Sequence, residues 1–315
     1  MKKIHTIIGA GGSIAQNLVP ELLKHQEEIR LVSRKGIHHQ GCETIKADAL
    51  DKPSISKAIE GSDIVYLLVG IEYKWQVWER NWPIIMQNVI DACKKHNTAL
   101  IFFDNVYMYG KVNGVMTEST PINPVSKKGE IRTKVLKMLL KEMEAGTIKA
   151  QVARSADFYG PQSESMSFFH QMIINNIIKG KPAQWMVNAD MPHSLTYVPD
   201  AAKALYELAR DESAWGQTWH LPAAAPALTG RELVDLVGKV FETKAKTTVL
   251  SKFMLRLVGL FIPVVKESME MLYQNEFSYE FSSVKFEKHF AWKATDYETG
   301  IRDTMVYLNK KGHNN

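Results

Sequence analysis

The first fifteen residues constrain this chain more than any other stretch. Ile4-His5-Thr6-Ile7-Ile8 is apolar and β-branched, as a strand requires. Gly9-Ala10-Gly11-Gly12 breaks it, and a helical pattern opens at Ser13-Ile14-Ala15. Strand, glycine turn and helix start, in that order, form a unit with a specific use. Glycines let the backbone turn tightly and let a pyrophosphate approach with no Cβ in the way. The helix start offers unbonded N–H groups and partial positive charge. Glycine turns also join strands to helices without binding anything. The flanking strand and helix nevertheless favour dinucleotide binding, with Gly9, Gly11, Gly12, Ser13 and Ile14 as the cradle.

The rest of the first half repeats strand and helix. Residues 13–24 carry one apolar helical face, with Pro20 expected to bend it. Residues 29–33 read as the second strand, and its end is Ser33-Arg34-Lys35. An acidic residue there suits a ribose diol and an arginine suits a 2′-phosphate, so Arg34 favours NADP over NAD. Strand 43–47 ends at Asp48, helix 52–60 begins with Pro53 in its first turn, and 64–69 is a continuous apolar run, as in a buried parallel strand. Helix 74–95 contains Pro83, which is expected to start a second segment. Strand 98–103, helix 127–145 and strand 148–155 complete the series. This alternation is the pattern of a Rossmann-type doubly wound parallel sheet, an α/β fold, with its crevice at the carboxyl ends of the strands.

After Asp157 the pattern changes. Residues 158–161 read as a loop, 168–179 as a helix, 183–185 and 195–197 as short strands, 200–210 as a helix and 217–221 as a strand. Thr229 and Glu232 form a capping-box pattern for a helix over 229–241. The division expected is a cofactor-binding domain at 1–157 and a smaller α+β C-terminal substrate lobe at 158–315, with segments returning to the first domain.

Composition narrows the function class. The net charge of +5 is mild and the basic residues are scattered over helix faces, which argues against nucleic acid as a partner. Cys42 and Cys93 form no metal or redox motif, so a reduced, cytoplasmic protein without a metal site is expected. A strand and glycine turn occupy the start of the chain, where a signal peptide would lie. The most apolar stretch, 253–265, is too short to span a bilayer and contains Arg256 and Pro263. It reads as a core, substrate-facing or interfacial helix, and no membrane partner is expected.

These landmarks resemble the extended short-chain dehydrogenase/reductase family, in its nucleotide-sugar epimerase-like branch, over nearly the whole chain. Gly9-Ala10-Gly11-Gly12-Ser13-Ile14-Ala15 resembles the family's GxxGxxG, with Ala15 for the third glycine. Asp48-Ala49 matches the acidic position near the adenine, and Leu67-Leu68-Val69-Gly70 the segment beneath the cofactor. Asn81 and Asn88-Val89-Ile90-Asp91-Ala92-Cys93 resemble the central-helix pattern. Tyr109-Gly110, the run from Arg154 to Tyr159-Gly160-Pro161, and His193-Ser194-Leu195-Thr196-Tyr197-Val198-Pro199-Asp200 resemble later family elements. Phe290-Ala291-Trp292-Lys293-Ala294-Thr295 resembles its closing segment.

The resemblance implies that Asp48, Leu68, Val69, Lys128 and Tyr159 join the cofactor site. It implies a small-molecule substrate, with Trp185, His193 and Tyr197 as its contacts, and a homodimer through 82–95 and 127–145. It also exposes a departure. The family uses Ser or Thr, Tyr and Lys, the Tyr moving a proton at the substrate oxygen and the Lys assisting it. The matching positions here are Asn105, Lys128 and Arg132, with Tyr107 as an alternative proton donor. Two functions therefore stand open. One is an NADP-dependent oxidoreductase or epimerase/dehydratase-like enzyme acting on a small hydroxyl or carbonyl compound. The other is a catalytically weak cofactor-binding sensor or regulatory protein.

Overall fold

The computed structural model describes residues 2–313. In chain order the first elements are β1 (Ile4–Ile8), α1 (Ser13–Lys24), β2 (Glu28–Ser33), β3 (Glu43–Lys46), α2 (Lys52–Ile59), β4 (Ile64–Leu67), α3 (Trp75–His96) and β5 (Ala99–Asp104). Then come β6 (Val115–Met116), α4 (Lys127–Glu144), β7 (Ala150–Arg154), β8 (Asp157–Tyr159), α5 (Asn175–Ile178), β9 (Ala183–Met186), β10 (Leu195–Tyr197) and α6 (Val198–Arg210). The last are β11 (Thr218–His220), α7 (Gly230–Val240), β12 (Thr247–Leu250), α8 (Lys252–Gly259), α9 (Pro263–Ser268), α10 (Tyr273–Glu276), β13 (Glu280–Phe281), α11 (Val284–His289) and α12 (Tyr297–His313).

Seven strands form one sheet in the order β11-β7-β5-β4-β1-β2-β3. Pairing is parallel from β3 through to β7, with Ile8 opposite Val32 on one side and Leu67 on the other. Every residue of β4 and β7 is buried; β4 accordingly reads as an unbroken apolar run, whereas β7 carries Gln151 and Arg154, which are hydrogen-bonded inside. The doubly wound α/β reading therefore holds.

The chain divides into two compact units. One comprises Met1–Met108, Lys127–Arg154 and Ala201–Trp219; the other comprises Tyr109–Ser126, Ser155–Asp200 and His220–Asn315. The first contains nearly all of the large sheet. The second has its own core, in which Tyr159, Phe169, Trp185, Leu233, Val237 and Ile301 are buried together.

Several local expectations are corrected. Pro83 starts no second segment: α3 runs unbroken through it for 22 residues. Pro83 removes the hydrogen bond to the Glu79 carbonyl, but Glu79 is exposed, so water can satisfy that group. Residues 157–159 are not loop but strand β8, paired in parallel with β10. Residues 170–174 form a π-helical turn leading into α5 rather than regular α-helix. The capping box is present, with Thr229 accepting from the Glu232 N–H and Glu232 accepting from the Thr229 N–H.

Candidate functional site

The glycine turn follows directly from β1. Gly9 has φ +98°, and a Cβ there would lie 2.7 Å from the Leu68 carbonyl carbon, so only glycine fits. Its N–H donates to Val32 O at 3.0 Å, which ties the turn to β2. Gly12 is the residue before α1 and supplies no side-chain cap, and the first turn of α1 holds no acidic residue. Its N–H donates to Gly9 O at 3.1 Å. A Cβ on Gly12 would lie 3.5 Å from Gly9 O and 3.8 Å from Leu68 O, in ordinary contact and without a clash. Ser13 is buried, and among the described residues its Oγ finds no hydrogen-bond partner. A helix start with a glycine before it, no acidic side chain in its first turn and an orphaned hydroxyl is suited to an anion. Ile14 and Ala15 face inward and pack α1 on the sheet.

Four further cofactor candidates, Arg34, Asp48, Leu68 and Val69, follow the carboxyl ends of strands of the same sheet. Leu68 is buried and Val69 half-buried just beyond β4. Asp48 follows β3, and its Oδ1 accepts the Leu50 N–H at 3.0 Å. Asn88 on α3 donates to Ala49 O at 3.0 Å and fixes that turn from below. Arg34 is exposed in the turn after β2.

Beyond β5 lies a buried polar cluster. Lys128 and Arg132 share one face of α4 because they are one helical turn apart. Lys128 is fully buried, and its Nζ stands 4.6 Å over the Tyr73 ring. The Tyr73 and Tyr107 hydroxyls are 3.4 Å apart, and Tyr107 stacks on Trp78. Asn105 Oδ1 accepts the Tyr107 N–H at 3.1 Å.

Arg132 lies between the Trp82 and Phe102 rings and donates to Asp104 Oδ1 through Nε at 2.9 Å and also through Nη2. Arg154 Nη2 donates to the other carboxylate oxygen of Asp104 at 3.3 Å. Asp104 is thus a buried carboxylate held between two guanidinium groups, with the Lys128 ammonium on the same helix face as Arg132. Cations outnumber carboxylates in this cluster, which favours an anionic or electron-rich oxygen beside it.

Asn105, Tyr107, Lys128 and Arg132 are candidates from the sequence, whereas the residues that hold them are not. Asp104 adjoins Asn105, yet its two arginine partners lie 28 and 50 residues away. Nothing local signals such pairings.

Trp185, His193, Tyr197 and Tyr159 all lie in the second unit, and each is buried. Trp185 Nε1–H donates to Asn188 O at 3.1 Å and meets the His193 ring edge-on. His193 Nε2 is 2.8 Å from Asp157 Oδ2, and its ring stacks on Tyr279. Tyr197 donates to Asp303 Oδ2 at 3.0 Å, and burial raises its phenol above the ordinary tyrosine value. Tyr159 packs against Phe169, Tyr197 and Tyr297, and burial raises its phenol too. Among the described residues no group of histidine, cysteine and acidic side chains is placed to hold a metal ion.

The family model described as "NAD dependent epimerase/dehydratase family" matches residues 5–220. The chain belongs to this family. A Bacillus subtilis (strain 168) relative described as "Uncharacterized UDP-glucose epimerase YtcB" is 21% identical over 262 residues, covering 76% of this chain and 82% of that one. Among solved structures, the UDP-glucuronic acid 4-epimerase of Bacillus cereus, bound to UDP-glucuronic acid and NAD, superposes with a TM-score of 0.80 at 16% identity. It covers 98% of this chain and 99% of its own. The Thermus thermophilus UDP-glucose 4-epimerase with NAD gives 0.77 at 16% identity, covering 97% and 99%. At such identities the likeness to the structures is one of fold.

These comparisons overturn the expected preference for NADP. The family is NAD dependent by description, and the matched structures hold NAD. The physical reason is that residue type at the end of β2 does not by itself fix the cofactor. Arg34 is an exposed side chain on a turn, not a guanidinium held in place to receive a 2′-phosphate.

Proposed function

We propose that this epimerase/dehydratase family member is an NAD-dependent enzyme that interconverts hydroxyl and carbonyl states of a sugar nucleotide, using Lys128 where its family uses a tyrosine. The observation that carries this reading is the joint placement, at one edge of one sheet, of an anion-ready helix start and a buried cluster built on Asn105 and Lys128. The relatives' UDP-sugar chemistry points to the substrate class.

The residues present fit NAD. Gly9 holds the turn, Gly12 leaves room for the diphosphate, and Ser13 Oγ has hydrogen-bonding capacity to spare. NAD bound there would accept a hydride from the substrate and return it. Asn105 has its amide oxygen occupied by the Tyr107 N–H, so its Nδ2 is oriented to donate to a substrate oxygen. Lys128 Nζ gives a proton to that oxygen when a carbonyl is reduced and takes it back when a hydroxyl is oxidised. Tyr107 is the alternative donor at the same loop. Arg132 cannot relay a proton because a guanidinium stays charged. Its role is to hold Asp104 and to keep the cluster cationic. Dimerisation through 82–95 and 127–145 is part of the same proposal and is checked by sedimentation velocity.

A second reading, a sensor with little turnover, draws on the commitment of Arg132 to Asp104. Calorimetric titration with NAD, followed by NMR of UDP-sugars incubated with protein and NAD, separates the two. Binding with conversion supports the enzyme; binding without conversion across epimerase and dehydratase substrates supports the sensor.

A further inference from the structure

Helices α8 and α9 form a short hairpin joined by Leu260-Phe261-Ile262. Its inward residues are few, with Leu255 and Gly259 the buried positions of α8. A Cβ at Gly259 would lie 3.3 Å from Lys266 Cα, so the two helices approach closely. The outward side is apolar. Phe261 is 85% exposed, Leu260 75% and Phe253 67%, and Leu257, Ile262 and Val264 are exposed with them. Of the three readings open for this stretch, core, substrate-facing or interfacial, the exposed side chains do not fit core, because they point away from the protein. A continuous exposed apolar surface of this kind marks a docking site.

Two observations identify what docks. The first is the backbone of the tip. The N–H groups of Leu260, Phe261 and Ile262 bond to carbonyls of Leu257 and Val258 within the hairpin, and Pro263 has no N–H. Such a tip can enter an apolar layer without carrying bare donors. The second is charge. From Ser251 to Ser268 the ionisable side chains are the basic Lys252, Arg256 and Lys266 and one acidic residue, the half-buried Glu267 on α9. Lys252 is held by Glu276 at 2.6 Å, whereas Arg256 and Lys266 are exposed beside the apolar side chains. In a symmetric contact with a second copy this patch would face itself and bring together its excess of basic over acidic side chains.

The geometry points to the surface of a bilayer containing anionic lipids as the partner of the α8–α9 hairpin. Leu260, Phe261 and Ile262 enter the boundary between headgroups and acyl chains, and Arg256 and Lys266 meet headgroup phosphates. The contact is with the surface, because no described helix is long and apolar enough to cross a membrane. This departs from the sequence expectation of no membrane partner, and it is independent of the proposed chemistry.

The test is co-sedimentation of the full-length protein with phosphatidylcholine vesicles, with and without phosphatidylglycerol. The protein should pellet with the anionic vesicles and less so at high salt. Phe261→Glu, at an exposed site that leaves the fold intact by circular dichroism, should lower partitioning about tenfold. Arg256→Glu and Lys266→Glu should each lower it about fivefold. Failure to pellet with anionic vesicles overturns the inference, as does binding that survives Phe261→Glu. A dimer that Phe261→Glu dissolves, in protein that ignores vesicles, also overturns it and assigns the hairpin to a second copy.

Discussion

Arg132 donates twice to one oxygen of Asp104, and both side chains are buried at the end of β5 beneath the residues proposed for catalysis. The pair is a structural anchor for that corner of the sheet. Asp104 also balances Arg154, so removing the carboxylate strands two buried guanidinium groups. Asp104→Asn should destabilise the protein by about 3–5 kcal/mol, the usual cost of leaving a buried charge without its partner. Arg132→Leu should cost less, because Arg154 still pairs with Asp104. Urea unfolding of the two variants checks the order; a smaller loss for Asp104→Asn contradicts it.

The glycines of the first turn should separate folding from binding. At Gly9 a Cβ meets backbone at 2.7 Å and φ is +98°, so Gly9→Ala should lose about 1–3 kcal/mol of stability along with NAD affinity. At Gly12 the added methyl makes only ordinary contacts, 3.5 Å to Gly9 O and 3.8 Å to Leu68 O. Gly12→Ala should keep the wild-type Tm and lose NAD binding, as thermal melts and calorimetry would show. Normal NAD affinity in Gly12→Ala would mean the diphosphate lies elsewhere.

Cofactor choice has a direct readout. NADH should quench tryptophan fluorescence at lower concentration than NADPH, and Arg34→Ala should leave NADH affinity within about twofold, since the exposed side chain can be worth little to a ribose diol. Tighter NADPH binding would reverse the assignment.

His5 makes stability depend on pH. It is buried in β1, with Nδ1 2.9 Å from the Tyr66 hydroxyl. Burial lowers its value from 6.5 to about 4, against a smaller opposing pull from Glu27. The neutral ring is favoured in the folded protein. Its contribution is therefore complete above pH 6.5 and is lost as pH falls towards 4. A shift of this size is worth about 3 kcal/mol. Unfolding free energies measured from pH 7 to pH 4 should fall more steeply in the wild type than in His5→Phe. Parallel slopes would remove His5 as the cause.

The sequence carried the β1–turn–α1 unit because three local signals coincide there, and it carried the doubly wound sheet because strand and helix patterns alternate and β4 is apolar end to end. It carried Lys128 and Arg132 as neighbours because helical spacing is local. It could not carry the Asp104 pairs, the Asp157–His193 pair or the β8–β10 strand pair, since each joins residues far apart in the chain. Arg34 misled because side-chain type was read as side-chain placement. The stretch 253–265 stayed open between core, substrate-facing and interfacial, because hydrophobicity states a preference for leaving water, not where the fold satisfies it.

The central claim is that Lys128 does the proton chemistry beside an NAD cradle. It is tested most directly by incubating wild type and Lys128→Met with NAD and either UDP-glucose or UDP-glucuronic acid, then resolving the sugar nucleotides by chromatography. Wild type should convert the sugar nucleotide, and Lys128→Met should lose about a hundredfold or more while NAD affinity is retained. Undiminished conversion by Lys128→Met would contradict it.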